Sequence, residues 1–516
     1  MKVLLKEAIR KVDAKAIKAV GLTELVLMEN AGRAVADAAN IALEGAEGKQ
    51  IVIFVGKGNN GGDGLVAARL LENLGAFVYV VMLNNAKEFG GSAAQELKIL
   101  KSCNAEVSVW TSSEQKQSRI FSLCAEADLF IDAMLGTGFT GELTGNYLKV
   151  TELMEQLPIP VIAIDIPSGV EANTGHVSSR AVHAQITVTM VATKPGLYLY
   201  PGAAYSGNVI VADIGLPASL LDGTNSKQYL LDEEMIMGLL PVRAANSHKG
   251  MNGRISVIAG SLGFTGAAAL CSEAVVRGGG GLVNLLVPQS QQGILATKLT
   301  EVMVKGINSE ENGSLSEAAL SQVQSELTKA DVLAIGPGLG QNKTTQAFVR
   351  SLIKNLLIPT VLDADALNAI AGYTGILNNI PAKIVTPHPG EMARLTGLGQ
   401  DEILDNPLKV AGEYAKKWQA VVVLKCVPTV IALPDGKVFI NSTGNAGMAT
   451  GGSGDVLTGI IAALLGQGLS IGDAAICGVY IHGLAGDQAA ENGTIGMKAS
   501  DIVTCLPRAL QSILPY

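Results

Sequence analysis

The chain has 516 residues, a length at which a single hydrophobic core usually gives way to two domains. Its hydrophobic fraction of 48% is ordinary for a globular protein, but its 60 glycines exceed average usage and indicate many tight turns and ligand loops. A formal net charge of −8 argues against a nucleic-acid-binding surface, so we expect no nucleic-acid partner.

The N-terminal segment and the cysteines indicate the cellular compartment. Residues 1–17 mix charged and apolar residues at helical spacing and lack the uninterrupted apolar centre of a signal peptide. No apolar run is long enough to span a membrane. The 6 cysteines are scattered, with no CxxC pair, which is typical of reduced thiols. We therefore expect a cytoplasmic protein with no membrane partner.

The N-terminal half alternates strands with helices. After helical patterns up to about residue 43, the sequence predicts a strand at Ile51–Val55, the turn GKGNNGGDG at 56–64, and a helix from Leu65. The alternation continues with predicted strands at 76–82, 129–133, 161–166 and 186–190. This order predicts a mainly parallel sheet with helices on both faces, a Rossmann-like three-layer sandwich.

Residues 207–234 contain a final predicted strand followed by a polar, turn-rich stretch, which separates this half from a second α/β pattern. We place the boundary near Thr224, giving domains 1–224 and 225–516. Alternation restarts with a predicted strand at 254–260, a helix at 264–277 and a strand at 282–288. Further strands are predicted at 332–335, 360–363, 383–386, 421–424, 429–433 and 438–441.

Five Gly- or Asp-rich turns lie at the predicted strand ends of the second domain. They are GSLGFTGA (260–267), GPGLG (336–340), DADALN (363–368), TPHPGE (386–391) and NAGMATGGSGD (445–455). Ligands of open parallel sheets bind at the carboxyl ends of the strands, so these turns predict one crevice. Taken alone, GPGLG is more often a plain turn, and His388 between two prolines could merely brace a loop.

The last of these turns is the strongest signal. Five glycines lie between Gly444 and Gly454, directly before an apolar helical pattern that starts near Val456. Glycines allow close backbone approach, and the free N–H groups of a helix start attract anions. Asp455 at the helix start would meet the reacting end of a phosphorylated ligand. The plainer alternative is a carboxylate that caps the helix after a flexible loop.

Together with HKGMNGR (248–254), these motifs resemble the ribokinase-like NAD(P)H-hydrate dehydratases over roughly residues 235–510. The resemblance implies a ribokinase-like α/β domain that removes water from hydrated NADH or NADPH (NADHX or NADPHX). Bacterial and archaeal members hydrolyse ADP in this reaction and eukaryotic members ATP, and we expect ADP here. The sequence leaves the choice between NADHX and NADPHX open.

Phosphorylation of the substrate hydroxyl would turn a poor leaving group into a good one, which explains how a kinase fold can dehydrate. Asp455 would take the hydroxyl proton, and the amides of Gly452, Ser453 and Gly454 would stabilise the transferring phosphoryl group. Asp363 and Asp365 could help hold Mg²⁺ through water, or could serve equally well in helix capping and strand-end hydrogen bonding.

The resemblance also implies the ligand contacts of this domain, with Cys426 standing where the family usually has glycine. The residues implied to bind the adenine nucleotide are Lys425, Cys426, Val427, Pro428, Thr429 and Gly454. The residues implied to contact the hydrated dinucleotide are Ala267, Gly338, His388 and Asp455.

In the N-terminal domain, GKGNNGGDG is neither a GxGxxG fingerprint nor a P-loop, and spacing alone leaves a phosphate-binding turn and a plain loop open. Three other motifs follow strand ends: IDAMLGTGFTGEL (131–143), IDIPSGV (164–170) and TKPGLYLYPG (193–202). Asn60, Asp132 and Ser168 supply oxygen atoms at separate strand ends. Such a set suits a hard cation better than a transition metal.

NNGGDG, GTGFTG and DIPSG resemble the NAD(P)H-hydrate epimerases over about residues 10–220. The resemblance implies K⁺ on Asn60, Asp132 and Ser168, and Asp165 in contact with the reacting ring, where it would shuttle protons. The alternative role of Asp165 is to cap its own turn. Lys194 either neutralises a phosphate or lies solvated at the surface. The implied substrate-binding residues are Asn59, Asn60, Gly61, Gly62, Asp63, Gly136, Thr137, Gly138, Phe139, Thr140, Gly141, Glu142 and Asp165.

These observations predict a bifunctional repair enzyme, in which the epimerase supplies the one epimer that the dehydratase accepts. One alternative is a kinase of a small hydroxylated metabolite. Another is an N-terminal half that binds nucleotide in a regulatory role without turnover. By the resemblance we also expect a homo-oligomer.

Overall fold

The computed structural model describes residues 1–103, 105–111 and 113–514. The chain divides into two compact units, residues 2–226 and residues 227–516 together with Met1. The boundary placed near Thr224 from the sequence lies two residues before this division. Among the described residues, no helix combines the length and apolarity needed to cross a bilayer.

The N-terminal unit is built on strands β1 to β8 and helices α1 to α8. The strands are β1 Lys2–Val3, β2 Gln50–Val55, β3 Phe77–Met82, β4 Glu106–Val109, β5 Leu129–Ala133, β6 Val161–Ile164, β7 Ile186–Met190 and β8 Asn208–Ala212. The helices are α1 Lys6–Lys15, α2 Glu24–Ala42, α3 Asn59–Asn73, α4 Gly91–Leu100, α5 Glu114–Ala125, α6 Gly145–Gln156, α7 Ala203–Ser206 and α8 Ala218–Asp222.

The main sheet of this unit is parallel, in the order β4-β3-β2-β5-β6-β7-β8. Alternate residues of its strands enter different cores. Ile51 and Ile53 of β2 pack into one hydrophobic cluster, and Val52 and Phe54 into another on the opposite face. Helices therefore cover both faces, and the predicted Rossmann-like three-layer arrangement is confirmed.

The second unit contains strands β9 to β18 and helices α9 to α20. The strands are β9 Gln228–Leu230, β10 Arg254–Ile258, β11 Leu282–Pro288, β12 Met303–Ile307, β13 Val332–Ile335, β14 Thr360–Leu362, β15 Lys383–Val385, β16 Val421–Leu424, β17 Val430–Ala432 and β18 Val438–Ile440. The helices are α9 Glu233–Leu239, α10 Thr265–Arg277, α11 Gln292–Lys298, α12 Leu320–Leu327, α13 Lys343–Ile353, α14 Ala364–Ile370, α15 Pro389–Thr396, α16 Gln400–Asp405, α17 Pro407–Trp418, α18 Ser453–Gly466, α19 Ile471–Ala489 and α20 Ala499–Ile513.

Its strands run in the order β9-β18-β17-β16-β15-β14-β13-β10-β11-β12. Pairing is parallel except where β17 meets β16 and β18. The core joins the sheet to α10, α18, α19 and α20, and α18 is buried almost along its whole length. A mainly parallel sheet packed against helices confirms the predicted α/β class for this domain too.

In both units the chain reverses its direction across the sheet at one point. From β2 the chain adds β3 and β4 on one side, and then returns to place β5 on the other side. From β10 it adds β11 and β12 before returning to place β13 beside β10. Ligands of open α/β sheets bind in the crevice that such a reversal opens at the carboxyl ends of the strands.

Candidate functional sites

The reversal point of the N-terminal unit opens into a cavity of about 560 Å³. Its lining includes residues from the turn after β2, the turn after β5 and the end of β6. The predicted site residues in the lining are Asn59, Asn60, Asp63, Gly136, Thr137, Gly138, Phe139 and Asp165. The strand-end motifs of the first domain therefore meet in one concave site.

The remaining predicted residues of this domain stand outside the lining. Gly61 and Gly62 are buried in the first turn of α3, where a methyl group on Gly61 would lie 1.8 Å from the carbonyl oxygen of Gly56. The Gly141 amide donates to Glu171 at 3.1 Å. Thr140 and Glu142 are exposed. The predicted turn at 56–64 is therefore too long, because α3 begins at Asn59 and not at Leu65, and Gly61 lets this helix start close to Gly56. The predicted contact of Gly61 and Gly62 with substrate stays a prediction.

Asp165 and Lys194 form a pair in this cavity. Lys194 is 1% exposed and its Nζ lies 2.5 Å from Oδ1 of Asp165, 2.6 Å from Oγ1 of Thr189 and 3.0 Å from the carbonyl oxygen of Met190. The interpretation of Lys194 as a solvated surface residue is therefore wrong. Asp165 has a φ of 69°, a conformation that costs a non-glycine residue energy and recurs at functional sites.

Asp132 and Ser168, which follow or end neighbouring strands of the sheet, are in direct contact with each other. Oδ1 of Asp132 accepts a hydrogen bond from the Ser168 hydroxyl at 2.7 Å, and Oδ2 accepts from the Ser168 amide at 2.7 Å. The Ser168 hydroxyl also accepts from the Leu135 amide at 2.9 Å. Burial raises the pKa of Asp132 to about 6, although the bonds from Ser168 and Met134 oppose that shift.

Asn60 completes this predicted set. Its side chain lies against Gly136, where an added methyl would come within 3.5 Å of the amide oxygen. Asn60 is 8% exposed, and neither atom of its amide has a hydrogen-bond partner. A buried polar group without a partner needs an explanation, and a ligand or ion is one.

The reversal point of the second unit brings Ala267 and Gly338 together. A methyl on Gly338, whose φ is 61°, would lie 2.9 Å from Cβ of Ala267 and 3.0 Å from Cβ of Phe264. Only glycine fits there without moving the start of α10. Two predicted substrate contacts, which are 71 positions apart in the sequence, are therefore neighbours at the crevice.

Asp363, at the end of β14, accepts hydrogen bonds from three other segments of the second domain. Its Oδ1 accepts from Lys425 Nζ at 2.6 Å and from Thr386 Oγ1 at 2.7 Å. Its Oδ2 accepts from Thr458 Oγ1, in the helix that begins with the glycine loop, at 2.7 Å. Asp363 is 1% exposed. Its buried carboxylate therefore links the ends of strands β14, β15 and β16 to helix α18 through hydrogen bonds.

Asp365 also has protein partners. Its Oδ2 accepts from the Gly340 amide at 2.8 Å, and its Oδ1 from Asn368 at 3.3 Å. Each carboxylate oxygen of Asp363 and Asp365 is thus already bonded within the protein. Among the described residues, no three His, Cys, Asp or Glu side chains form a group that could hold a metal ion. The geometry matches the hydrogen-bonding role of the two aspartates, and Mg²⁺ binding stays a prediction.

Asp455 lies in the first turn of α18, after Gly452 at a φ of 95°. No side chain caps this helix, but the Ser453 amide donates to the carbonyl oxygen of Thr450 at 3.4 Å and is not free for a ligand. Burial raises the pKa of Asp455 to about 7, reinforced by the charge of Asp363 and opposed by Lys425. A carboxylate with a pKa near neutrality can accept and release a proton at working pH.

Lys425 and Gly454 are adjacent, because a methyl on Gly454 would lie 3.2 Å from Lys425 Nζ. Burial alone would lower the pKa of Lys425, but the charges of Asp363 and Glu391 outweigh it and raise the pKa overall.

The rest of the predicted nucleotide segment, residues 426–429, forms a tight turn. The thiol of Cys426 lies 3.1 Å from the carbonyl oxygen of Pro428, and its pKa is raised to about 12 by burial. Val427 is exposed, and the Thr429 hydroxyl donates to Cys426 at 3.4 Å.

His388 both caps a helix and faces the crevice. Its Nδ1 accepts from the Gly390 amide at 3.0 Å and from the Glu391 amide at 3.4 Å, so Nε2 carries the proton of the neutral ring. Burial, and then Lys425, lower its pKa. The loop-bracing role left open from the sequence is real. About half of the His388 side chain remains exposed, and the positive charge of Lys425 acts on its ring.

Sequence reasoning missed His482, which lies behind the glycine loop. Its Nε2 lies 3.4 Å from the hydroxyl of Ser453, and burial lowers its pKa to about 4, so the ring is neutral at pH 7. The available signal was a single histidine within an otherwise apolar helix, and that pattern is usually structural. Asp13 in the N-terminal cavity was missed as well, because it belongs to a helix with no strand-end motif.

Together the two units define an α/β enzyme with one carboxylate-bearing crevice in each domain. A family model described as NAD(P)H-hydrate dehydratase matches residues 255–508, and one described as YjeF-related protein N-terminus matches residues 24–196. The chain is 44% identical over 495 residues to the bifunctional NAD(P)H-hydrate repair enzyme Nnr of Moorella thermoacetica, covering 95% of this chain and 93% of that protein. It is 35% identical over 505 residues to the Escherichia coli protein of that name, covering 97% and 92%. The chain belongs to the family of bifunctional NAD(P)H-hydrate repair enzymes.

One of the solved structures that resemble part of this chain is a bacterial enzyme. The ADP/ATP-dependent NAD(P)H-hydrate dehydratase of Bacillus subtilis, co-crystallised with ATP and Mg²⁺, is 31% identical, with a TM-score of 0.48. The match covers 55% of this chain and 98% of that one.

Proposed function

We propose that the crevice of the second domain removes water from the S form of hydrated NAD(P)H while hydrolysing ADP to AMP and phosphate. The N-terminal cavity interconverts the R and S forms. The observation that carries this proposal is that each crevice places one carboxylate, Asp455 or Asp165, among glycine-rich turns at a reversal point of a parallel sheet. Phosphates bind to such backbone amides without needing a basic surface.

In the dehydratase site, Asp455 takes the proton of the substrate hydroxyl as that oxygen attacks the terminal phosphoryl group. The amides at the start of α18 that are not hydrogen-bonded within the protein stabilise the charge on the phosphoryl oxygens, and Lys425 beside Gly454 adds a positive charge. AMP leaves as the new O–P bond forms. The bond between the ring carbon and this oxygen then breaks to release inorganic phosphate, and loss of a proton from the neighbouring ring carbon restores the double bond. The hydrogen bonds of Asp363 to Lys425 and to Thr458 hold Lys425 and α18 at a fixed separation, so these groups are ordered before the ligand binds.

In this proposal, the segment Lys425 to Thr429 holds the adenine nucleotide, and Ala267, Gly338 and His388 contact the hydrated dinucleotide. The tight turn at Cys426 buries its thiol, which leaves the exposed Val427 and the backbone to face the nucleotide. The family supports nucleotide use in general. The choice of ADP over ATP, and the expected homo-oligomer, belong to the proposal.

K⁺ fits the set Asn60, Asp132 and Ser168. Asp132 is a fully buried carboxylate, none of the ion pairs of the described residues involves it, and the buried amide of Asn60 has no hydrogen-bond partner. A bound K⁺ would supply positive charge that neutralises Asp132. The Asn60 oxygen and the Ser168 hydroxyl are hard oxygen donors of the kind such an ion prefers.

Incubation of the purified chain with mixed R and S hydrates tests the proposal. With ADP and K⁺ we expect nicotinamide absorbance to return for the whole pool, with release of inorganic phosphate. The same sample without nucleotide should equilibrate R with S and regain no absorbance. A stable phosphorylated product would contradict the proposal and indicate a small-metabolite kinase.

A further inference from the structure

The lining of the N-terminal cavity includes more carboxylates than the one in the pair of Asp165 and Lys194. Asp13 of α1, Asp63 of α3 and Asp165 all line it, together with Lys194. Lys194 donates its hydrogen bonds to Asp165, Thr189 and Met190. One lysine is therefore committed to one of the three carboxylates.

Asp13 and Asp63 have no such partner. Within the part of the chain that the structure describes, neither side chain takes part in a hydrogen bond or an ion pair. Burial, followed by the negative charge of Asp165, raises the pKa of Asp13 to about 6. Burial, followed by the charges of Asp165 and Asp13, raises the pKa of Asp63 well above its ordinary value. Carboxylates this close in a partly enclosed site share protons rather than all ionise.

Three further charged groups line the cavity, and two of them have partners of their own. They are Arg10 on α1, Glu24 on α2 and Lys57 in the turn after β2. Lys57 pairs with Glu88 at 3.6 Å, and Glu24 accepts from Ser92 at 3.2 Å. The unpartnered amide of Asn60, 8% exposed, lines the same cavity, which indicates a site built to receive a ligand.

The reaction needs both a base and an acid. Water adds to an enamine double bond with its hydroxyl on the carbon next to nitrogen, so the hydrated ring carries a carbon bonded to both oxygen and nitrogen. To invert that carbon, a base removes the hydroxyl proton, a C=O bond forms and the C–N bond breaks, while an acid protonates the nitrogen. Rotation and closure on the other face reverse both proton transfers, with no oxidant or reductant.

The geometry points to Asp63 as the acid and Asp165, held by Lys194, as the base. We infer that Asp63 donates the proton to the ring nitrogen, and that Asp13 is a positioning residue that keeps this proton on Asp63. This rests on the proposed epimerase function and deepens it. Lys194 donates a hydrogen bond to Asp165, whereas Asp13 and Asp63 have no hydrogen-bond or ion-pair partner among the described residues and retain a proton between them.

The test follows the R to S ratio by chromatography from pure R hydrate, with the full chain, K⁺ and no nucleotide, after subtraction of the spontaneous rate. Asp63→Asn should reduce kcat on the order of 100-fold while changing the affinity for the hydrate little, because an amide cannot donate as an acid. Asp63→Glu should restore part of the rate.

Asp13→Asn gives the sharper result. Removal of the Asp13 charge should lower the pKa of Asp63, so the basic limb of the pH profile of kcat should move to lower pH by on the order of one unit. A purely structural role would not move this limb. Glu7→Gln is the matched control, since Glu7 is an exposed carboxylate of the same helix outside the cavity lining, and its profile should equal that of the wild type.

An active wild type whose rate survives Asp63→Asn, or whose basic limb is unmoved by Asp13→Asn, would overturn this inference and leave the proposed function standing. A wild type that fails to equilibrate the hydrates would defeat the proposed epimerase itself, and this inference with it.

Discussion

At the scale of single residues, the role proposed for Asp455 as the base of the dehydratase site depends on its charge state. Its pKa is raised to about 7 by burial and by Asp363, so the carboxylate is largely protonated below neutrality. A protonated Asp455 cannot accept the proton of the substrate hydroxyl.

We therefore expect kcat for dehydration of the S hydrate to rise with pH through an acid limb near pH 7 and then to level off. The measurement is the return of nicotinamide absorbance under saturating ADP across a range of pH. A profile that is flat from pH 5 to pH 8 would exclude Asp455, with this pKa, as the base.

Asp363 sets the position of that limb. Its negative charge is the largest electrostatic contribution that favours protonation of Asp455. Asp363→Asn should therefore lower the pKa of Asp455 and move the acid limb to lower pH, although the maximal rate falls because Lys425 loses its partner. Asp365→Asn is the matched control and should shift the limb less, because the charge of Asp365 contributes less than those of Asp363 and Lys425.

At the scale of elements, the close fit of α3 to the end of β2 depends on one glycine. A methyl on Gly61 would meet the carbonyl oxygen of Gly56 at 1.8 Å, and a backbone atom cannot move aside as a flexible side chain can.

Gly61→Ala should therefore destabilise the N-terminal domain by about 1 to 3 kcal/mol and reduce epimerisation. The urea midpoint for loss of epimerase activity measures this effect. Gly58→Ala is the control, since its methyl meets nothing within 4 Å and its effect at the helix cap should stay within about 1 kcal/mol. Equal midpoints for the two variants would contradict the packing argument.

The elements also show what the sequence could predict. Strand Val332–Ile335 is an uninterrupted apolar run, and Leu129–Ala133 is apolar except for Asp132. Both are buried along their whole length, and their positions were predicted without change. Four strands were missed. Strands β1 and β9 are only 2 and 3 residues long, and β4 and β12 lie at the ends of their sheets, where partial exposure weakens the apolar pattern. Turns after strands were predictable because glycine and aspartate mark them.

Contacts between distant segments were not predictable. The bond from Thr458 to Asp363 joins residues 95 positions apart, and no local pattern marks a threonine in an apolar helix as a partner. Lys194 gave no sign of burial, because an isolated lysine after a strand is usually solvated. Asp13 enters its cavity only through the packing of α1, which periodicity does not specify. In each case the local sequence does not specify which elements pack against each other in the folded chain.

At the scale of the whole molecule, the two activities belong to separate domains and should be separable by single substitutions. Asp455→Asn removes the proposed base of the dehydratase and changes a residue of the second domain only. It should lower dehydration by a factor on the order of 100 to 10,000 and leave equilibration of R and S unchanged. Asp165→Asn should do the reverse, sparing dehydration of pure S hydrate.

The mixed pool gives the decisive comparison. With Asp165→Asn, absorbance should return quickly only for the S fraction and then continue at the slow rate of spontaneous epimerisation. With wild-type protein the whole pool should return in one phase when epimerisation keeps pace. Addition of the Asp455→Asn variant to the Asp165→Asn variant should restore the single phase, because the hydrate can diffuse between two intact sites on different chains. Loss of both activities in either single variant would show instead that the two crevices depend on each other, and the assignment of one reaction to each domain would fail.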